Sequence, residues 1–245
     1  MRTEISITQR KFLKQLRTKK YRHKYGRFLA EGNKLVADLI QAGVKCDGVY
    51  IMDENDRVLF PDGKLISMEA RKEFTGFDHP AGAAGVFELP APGKLEDVYK
   101  QNFTLALHAI QDPGNLGTII RTAAWFGHPH ILILEGTTDP FNPKCIQASM
   151  GAIAHVQMVH VSTDELKQLQ SDGFVLLGAE MEGESIYAFT WPQKSILILG
   201  NEGAGLRDFP LPVSPISIPS RNRNRVESLN VAMAAGIMMS HYTQG

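Results

Sequence analysis

Apolar and polar positions alternate along this chain with two periods, and the switch between them predicts most of its elements. A helical spacing runs over residues 6–26, where Ile7, Phe12, Leu13 and Leu16 form a thin stripe among cations. A second helix is expected over 33–41, with Leu35, Val36, Leu39 and Ile40 on one face and Gly43 as its stop. Short apolar runs at 49–52, 65–66 and 84–89 read as strands, with a short helix beginning near Ser67. The Pro- and Gly-rich stretch 89–94 suits neither helix nor ladder and marks a linker. Beyond it, near-continuous apolar runs at 103–110, 131–134, 155–161, 174–179, 195–199 and 216–218 predict buried strands. They alternate with helical spacings at 118–126, 142–150, 163–170 and 228–241. Such alternation predicts a parallel sheet covered on both faces. The expected organisation is α/β throughout: a small N-terminal domain over 1–93 and a parallel-sheet domain over 98–245.

Composition adds limits. At 43% hydrophobic and 21% charged residues, the chain has ordinary globular usage. No apolar run is long enough to cross a bilayer, and the first residues lack a signal-type apolar core. Cys46 and Cys145 stand far apart, without a disulfide framework. These observations lead to the expectation of a cytoplasmic protein with no membrane partner and no metal. Formal charge is zero, yet residues 1–27 hold ten Lys or Arg against Glu4 alone, a net +9 that leaves −9 for the rest. A basic head of this kind suits a polyanion, with Arg17, Lys19, Lys20 and Arg22 as candidate RNA contacts; a solubilising helical face is the alternative. Tyr21, His23 and Tyr25 are placed either to stack on bases or to pack.

Three loops at strand ends carry the candidate chemistry. In D-P-G-N-L-G-T-I-I-R-T-A (112–123), Asn115 or Thr118 can cap a helix, and Arg121 sits among apolar neighbours, where it needs an ion-pair partner or a phosphate or hydroxyl to bind. In L-G-N-E-G-A-G-L (199–206), three glycines allow close approach of a ligand, and Glu202 can bind or cap. The spacing matches neither a dinucleotide fingerprint nor a nucleotide P-loop, which weakens a nicotinamide-dependent reading. In I-P-S-R-N-R-N-R-V-E-S-L-N-V (218–231), Arg221, Arg223 and Arg225 alternate with asparagines before a helix start. They are either solvated surface cations or RNA-backbone contacts. His108 is either a base or a strand histidine. Trp125 reads as packing. Ala232, Ala234, Ala235 and Gly236 allow close helix approach, in a core or at a dimer seam.

Taken in order, the three loops closely resemble the signature motifs of the SpoU/TrmH family of RNA ribose 2′-O-methyltransferases, within the SPOUT superfamily. F-L-A-E-G (28–32), H-P-A-G-A-A-G-V-F (79–87) and S-M-G-A (149–152) extend the likeness over nearly the whole chain. The resemblance implies S-adenosylmethionine as donor, a deep C-terminal trefoil knot, a homodimer with active sites near its interface, and an N-terminal RNA-binding domain of the ribosomal-protein L30e type. It places the donor at Leu199, Gly200, Ile218 and Leu229, and the reacting centre at Asn115, Arg121, Glu202, Ser228 and Asn230. It makes Arg121 the acceptor of the hydroxyl proton; because a guanidinium stays charged, orienting the hydroxyl is the alternative role. The third motif departs from the family pattern: eight residues (220–227) with no glycine separate Pro219 from Ser228, where relatives have a shorter segment containing one. Ribosomal RNA is the expected substrate, by the basic head and separate N-terminal domain. A transfer-RNA enzyme and a non-catalytic RNA-binding protein of the same fold are the rivals.

Overall fold

The computed structural model describes residues 5–78, 80, 82–222, 225 and 227–244. It divides into two compact units that do not follow chain order: Met1–Ala91 with Asp139–Ala154, and Pro92–Thr138 with His155–Gly245. The division after Ala91 falls within the Pro/Gly stretch 89–94.

The first unit begins with α1 (Ile7–Gln15), opened by a capping box between Ser6 and Gln9, and α2 (Lys19–Tyr25), closed by Gly26 in the left-handed region at φ 62°. The single helix expected over 6–26 is therefore two. Thr18 is extended at the break, and the turn lets Arg22 Nη1 donate to the carbonyl of Leu16 at 2.9 Å. Strands β1 (Arg27–Glu31), β2 (Cys46–Ile51), β3 (Lys64–Leu65) and β4 (Ala84–Glu88) form a sheet in the order β1-β4-β2-β3. Helices α3 (Asn33–Gln41) and α4 (Met68–Lys72) belong to the same unit. So does α7 (Pro143–Ser149), which comes from the distant 139–154 segment and packs on β1.

Two buried ion pairs hold this unit together. Arg22, 2% exposed, donates to Asp139 through Nε at 3.0 Å and also through Nη2. Arg71, fully buried, donates to Glu31 at 2.7 Å; Glu31 also accepts from the Thr75 hydroxyl at 2.6 Å and the Gly76 amide at 3.0 Å. Burial pulls the Arg71 proton affinity down and Glu31 partly restores it. Glu31→Ala should therefore cost about 3–5 kcal/mol, because it strands a buried guanidinium. Chemical denaturation would read this as a lower midpoint; a shift under about 1 kcal/mol would contradict it.

The second unit carries α5 (Leu95–Val98) and six parallel strands: β5 (Phe103–Leu107), β6 (His130–Ile133), β7 (Gln157–His160), β8 (Val175–Ser185), β9 (Ser195–Leu199) and β10 (Ser214–Ser217). Their order is β10-β8-β9-β5-β6-β7. One face buries Ala106, Leu132, Leu176, Ile196 and Ile198 with Leu166 and Leu169 of α8 (Thr163–Ser171). The alternate positions Leu105, Ile131, Leu177 and Leu197 are equally buried and by strand period face the other way. Helices α6 (Pro113–Trp125) and α9 (Val231–Gln244) pack on each other. From β5 the chain runs to β6 and β7 on one side, while β9 lies on the other. The carboxyl ends of β5 and β9 thus flank a topological switch point, where open α/β sheets bind ligands.

Candidate active site at the carboxyl end of the parallel sheet

All three candidate loops leave this end of the sheet. Helix α6 starts five residues earlier than its apolar spacing suggests, because Asp112 caps it, accepting from the Asn115 amide at 3.0 Å, and Pro113 occupies its first turn. Helix α9 starts three residues later than expected. The Asn230 side chain provides its cap, accepting from Ala232 N at 2.9 Å and Met233 N at 3.3 Å. Ser228 and Leu229 therefore stay in the loop, exposed at the cavity wall.

A chain of hydrogen bonds links the loops. Glu202 accepts from Gln111 N at 3.2 Å, Asp112 N at 3.1 Å and Asn115 Nδ2 at 3.1 Å. Asn115 Oδ1 in turn accepts from Asn230 Nδ2 at 3.0 Å. Three segments that span more than a hundred residues of sequence are thereby fastened at one point. Burial works against the charge on Glu202, but the bonds from Asn115 and the backbone outweigh it and hold the carboxyl below its usual range. Glu202 is thus an ionised clamp at a helix N-terminus and a weak base.

Beside this chain lies a cavity of about 630 Å³, the size of a small-molecule site. Of the residues singled out by sequence, Asn115, Leu199, Gly200, Glu202, Ile218, Ser228, Leu229 and Asn230 all line it. At Gly200 a Cβ would lie 2.2 Å from the carbonyl oxygen of Gly205, so only glycine lets the 200–206 loop fold back so tightly. The loop is closed by reciprocal Asn201–Gly205 backbone bonds of 3.0 and 2.9 Å. Asn201 was not singled out by sequence. Its Oδ1 accepts from Gly203 N and Ala204 N, and its Nδ2 donates to the carbonyl of Ala109, a residue at φ 54°.

Other expected residues lie elsewhere. Arg121 is exposed and absent from the cavity wall. Six positions after Asn115, it points about 120° away round the helix, so the apolar surroundings expected from its neighbours belong to the opposite face, with Ile119, Ile120 and Ala123. Trp125 is not packed as expected: it is 84% exposed, on the same side as Arg121. His108 sits edge-on to Phe209 with ring centroids 5.2 Å apart, and burial lowers its pKa. Among the RNA candidates, Arg17, Lys19, Lys20, Arg221 and Arg225 are exposed. Arg22 is withdrawn from that set, since its guanidinium is buried on Asp139 and Leu16. Arg223 lies outside the described residues. Tyr21 and Tyr25 stack on each other at 6.0 Å, and Tyr25 also meets Phe12 edge-on, so packing accounts for both. Among the described residues no His, Cys, Asp and Glu group could hold a metal, and no helix is long and apolar enough to cross a membrane.

A parallel sheet whose carboxyl-end loops close a small-molecule cavity around a Glu–Asn–Asn chain defines an α/β ligand-binding domain of enzyme type. The pattern of the SpoU rRNA Methylase family matches residues 102–240, and that of the MRM3-like substrate binding domain matches residues 8–73. The chain belongs to the SpoU rRNA methylase family. It is 32% identical, over 93% of both chains, to the 23S rRNA (guanosine(2553)-2′-O)-methyltransferase RlmP of Bacillus subtilis. Among solved structures it resembles a TrmH-family protein from Porphyromonas gingivalis, at 34% identity and TM-score 0.81 over 98% of both chains. It also resembles the AdoMet-bound rRNA methyltransferase from Sinorhizobium meliloti, at 29% identity and TM-score 0.81, over 98% of this chain and 97% of the other.

Proposed function

We propose that this protein transfers a methyl group from S-adenosylmethionine to a ribose 2′-hydroxyl of ribosomal RNA. The observation that carries the reading is the Glu202–Asn115–Asn230 chain at the wall of the cavity. The activities named for the Bacillus and Sinorhizobium relatives support it. The cavity fits the donor: apolar Leu199, Ile218 and Leu229 would take the adenine, and the backbone at Gly200 would lie against it without a side chain between. When bound, the donor supplies a methyl group activated by its sulfonium. The protein's part is to hold the hydroxyl in line with the sulfur–methyl bond, at roughly 3 Å. Ser228 and Asn230 lie within that wall and would orient the ribose. Glu202, low in basicity and engaged by three donors, keeps the loops in register and is not the proton acceptor.

The basic face of α1 and α2, with Arg17, Lys19 and Lys20 exposed, would hold RNA backbone, as a domain over 1–93 serving the methyltransferase domain over 98–245. Arg221 and Arg225 would add further phosphate contacts. The knot expected for the fold is carried by the match to the SpoU family alone. A homodimer is supported by large apolar side chains left exposed on α6 and α9, Trp125 at 84% and Met233 at 59%. The free, widely separated cysteines suit work in the cytoplasm.

The test compares ribose methylation across all stable RNAs with and without this protein, alongside calorimetry with S-adenosylmethionine. Loss of one ribosomal 2′-O-methyl site is the expected result. A lost transfer-RNA site would overturn the substrate, and absence of donor binding would overturn the enzyme.

A further inference from the structure

Strand β8 departs from its partner in a way that the sequence reading, which ended the strand at 179, did not foresee. Neighbouring residues Pro215 and Ile216 of β10 pair with Gly178 and Glu184 of β8. Five residues, 179–183, are therefore thrown out of the ladder between two consecutive pairings. Glycines make the excursion possible: a Cβ at Gly178 would lie 2.6 Å from Val213, and one at Gly183 would lie 2.4 Å from the carbonyl oxygen of Pro215. Bulges of this kind re-aim side chains. Here the excursion brings Ala179, Glu180 and Met181 into the wall of the cavity.

Glu180 is half-buried there, and its carboxylate reaches 4.0 Å from where a Cβ on Gly205 would stand, on the 200–206 loop. No hydrogen bond or ion pair engages it among the described residues. It differs in this from Glu202, whose oxygens are used by the loop clamp. Among the described residues the charged ones of the wall are Glu180, Glu202, Glu227 and Arg207, an excess of negative charge. A half-buried carboxylate with no protein partner is poised for a cationic one.

We propose that Glu180 is a donor-specificity residue that pairs with the positive charge at the methionine end of S-adenosylmethionine. This rests on the cavity being the donor site. Two groups on the donor share that chemistry, the ammonium and the sulfonium, and a ligand series separates them. S-adenosylhomocysteine keeps the ammonium and lacks the sulfonium. 5′-Methylthioadenosine lacks both and keeps the adenosine.

Isothermal titration of the full-length protein and of Glu180→Gln with the three ligands is the test. For S-adenosylmethionine the expected weakening is on the order of tenfold, the worth of one charge-assisted hydrogen bond at a half-exposed site. Affinity for 5′-methylthioadenosine should stay unchanged. If S-adenosylhomocysteine weakens equally, the partner is the ammonium; if it does not, the partner is the sulfonium. Equal weakening for all three ligands would overturn the proposal, because Glu180 would then read the ribose. Unchanged affinity for all three would overturn it too. Failure of the wild-type protein to bind any of them would instead remove the donor-site reading beneath it. Glu180→Gln should melt with the wild type, since no internal bond is lost; a lowered melting temperature would overturn the assignment of Glu180 as free for a ligand.

Discussion

Arg121→Ala should lose methyl transfer by on the order of 10²–10³-fold in kcat, the usual cost of removing one positioned donor, while donor binding persists. Within one chain the exposed Arg121 is not part of the cavity wall. It shares the outer side of α6 with Trp125. In the proposed dimer that side is covered, and Arg121 would serve the cavity of the other chain. Mixing settles the point. Arg121→Ala has a sound cavity and no guanidinium; Gly200→Ala has the guanidinium and, at donor concentrations far below its weakened Kd, an empty cavity. If the residue acts across the interface, a mixed dimer holds one complete site, and an equal mixture recovers about a quarter of the wild-type rate. If Arg121 serves its own chain, the mixture stays as inactive as its parts. Trp125→Ala should also lose dimer mass in sedimentation together with activity. An active, monomeric Trp125→Ala would remove the interface from the mechanism.

Gly200→Ala is expected to have the second large effect, on donor affinity. The added methyl would stand 2.2 Å from the oxygen and 2.4 Å from the carbonyl carbon of Gly205. Both are backbone atoms, so no side-chain rotation relieves the clash. The reciprocal Asn201–Gly205 bonds must break, and Glu202 moves away from Asn115. Overpacking costs of this kind run to about 3 kcal/mol, or roughly a 10²-fold weaker Kd by calorimetry. Gly203→Ala is the matched control. Its methyl would meet only Asn201 Oδ1, at 3.6 Å, and affinity should stay near wild type. Equal affinities for the two variants would show that the 200–206 turn does not shape the donor site.

Much of the candidate site was legible because its parts are local signals. The glycines of 199–206 and the ends of the apolar runs each act on their own few residues, whereas the helix starts, expected at 118 and 228, are moved by the caps Asp112 and Asn230. The positions of the loops at strand ends follow from the period of the apolar runs. What the local signals could not show is orientation. From its apolar neighbours Arg121 reads as an arginine in need of a partner, yet its helical phase sets it on the exposed face. Arg22 reads from the sequence as a candidate RNA contact, yet it is buried on Asp139, 117 residues away. Trp125 reads as a packing residue, yet it stands 84% exposed. Glu180 went unnoticed, since a strand carries no mark of where its partner skips.

By itself the amino-acid sequence determined the α/β alternation, the three loops and the family motifs. These rest on periodicity, turn chemistry and spacing, all of which act over a few residues. Only the tertiary structure decided that residues 139–154 join the N-terminal unit. It also decided that Glu202, Asn115 and Asn230 form one hydrogen-bonded chain, and that a slipped pairing of β8 and β10 turns Glu180 into the cavity. Each depends on which distant segments meet, a property of packing that short-range pattern does not encode.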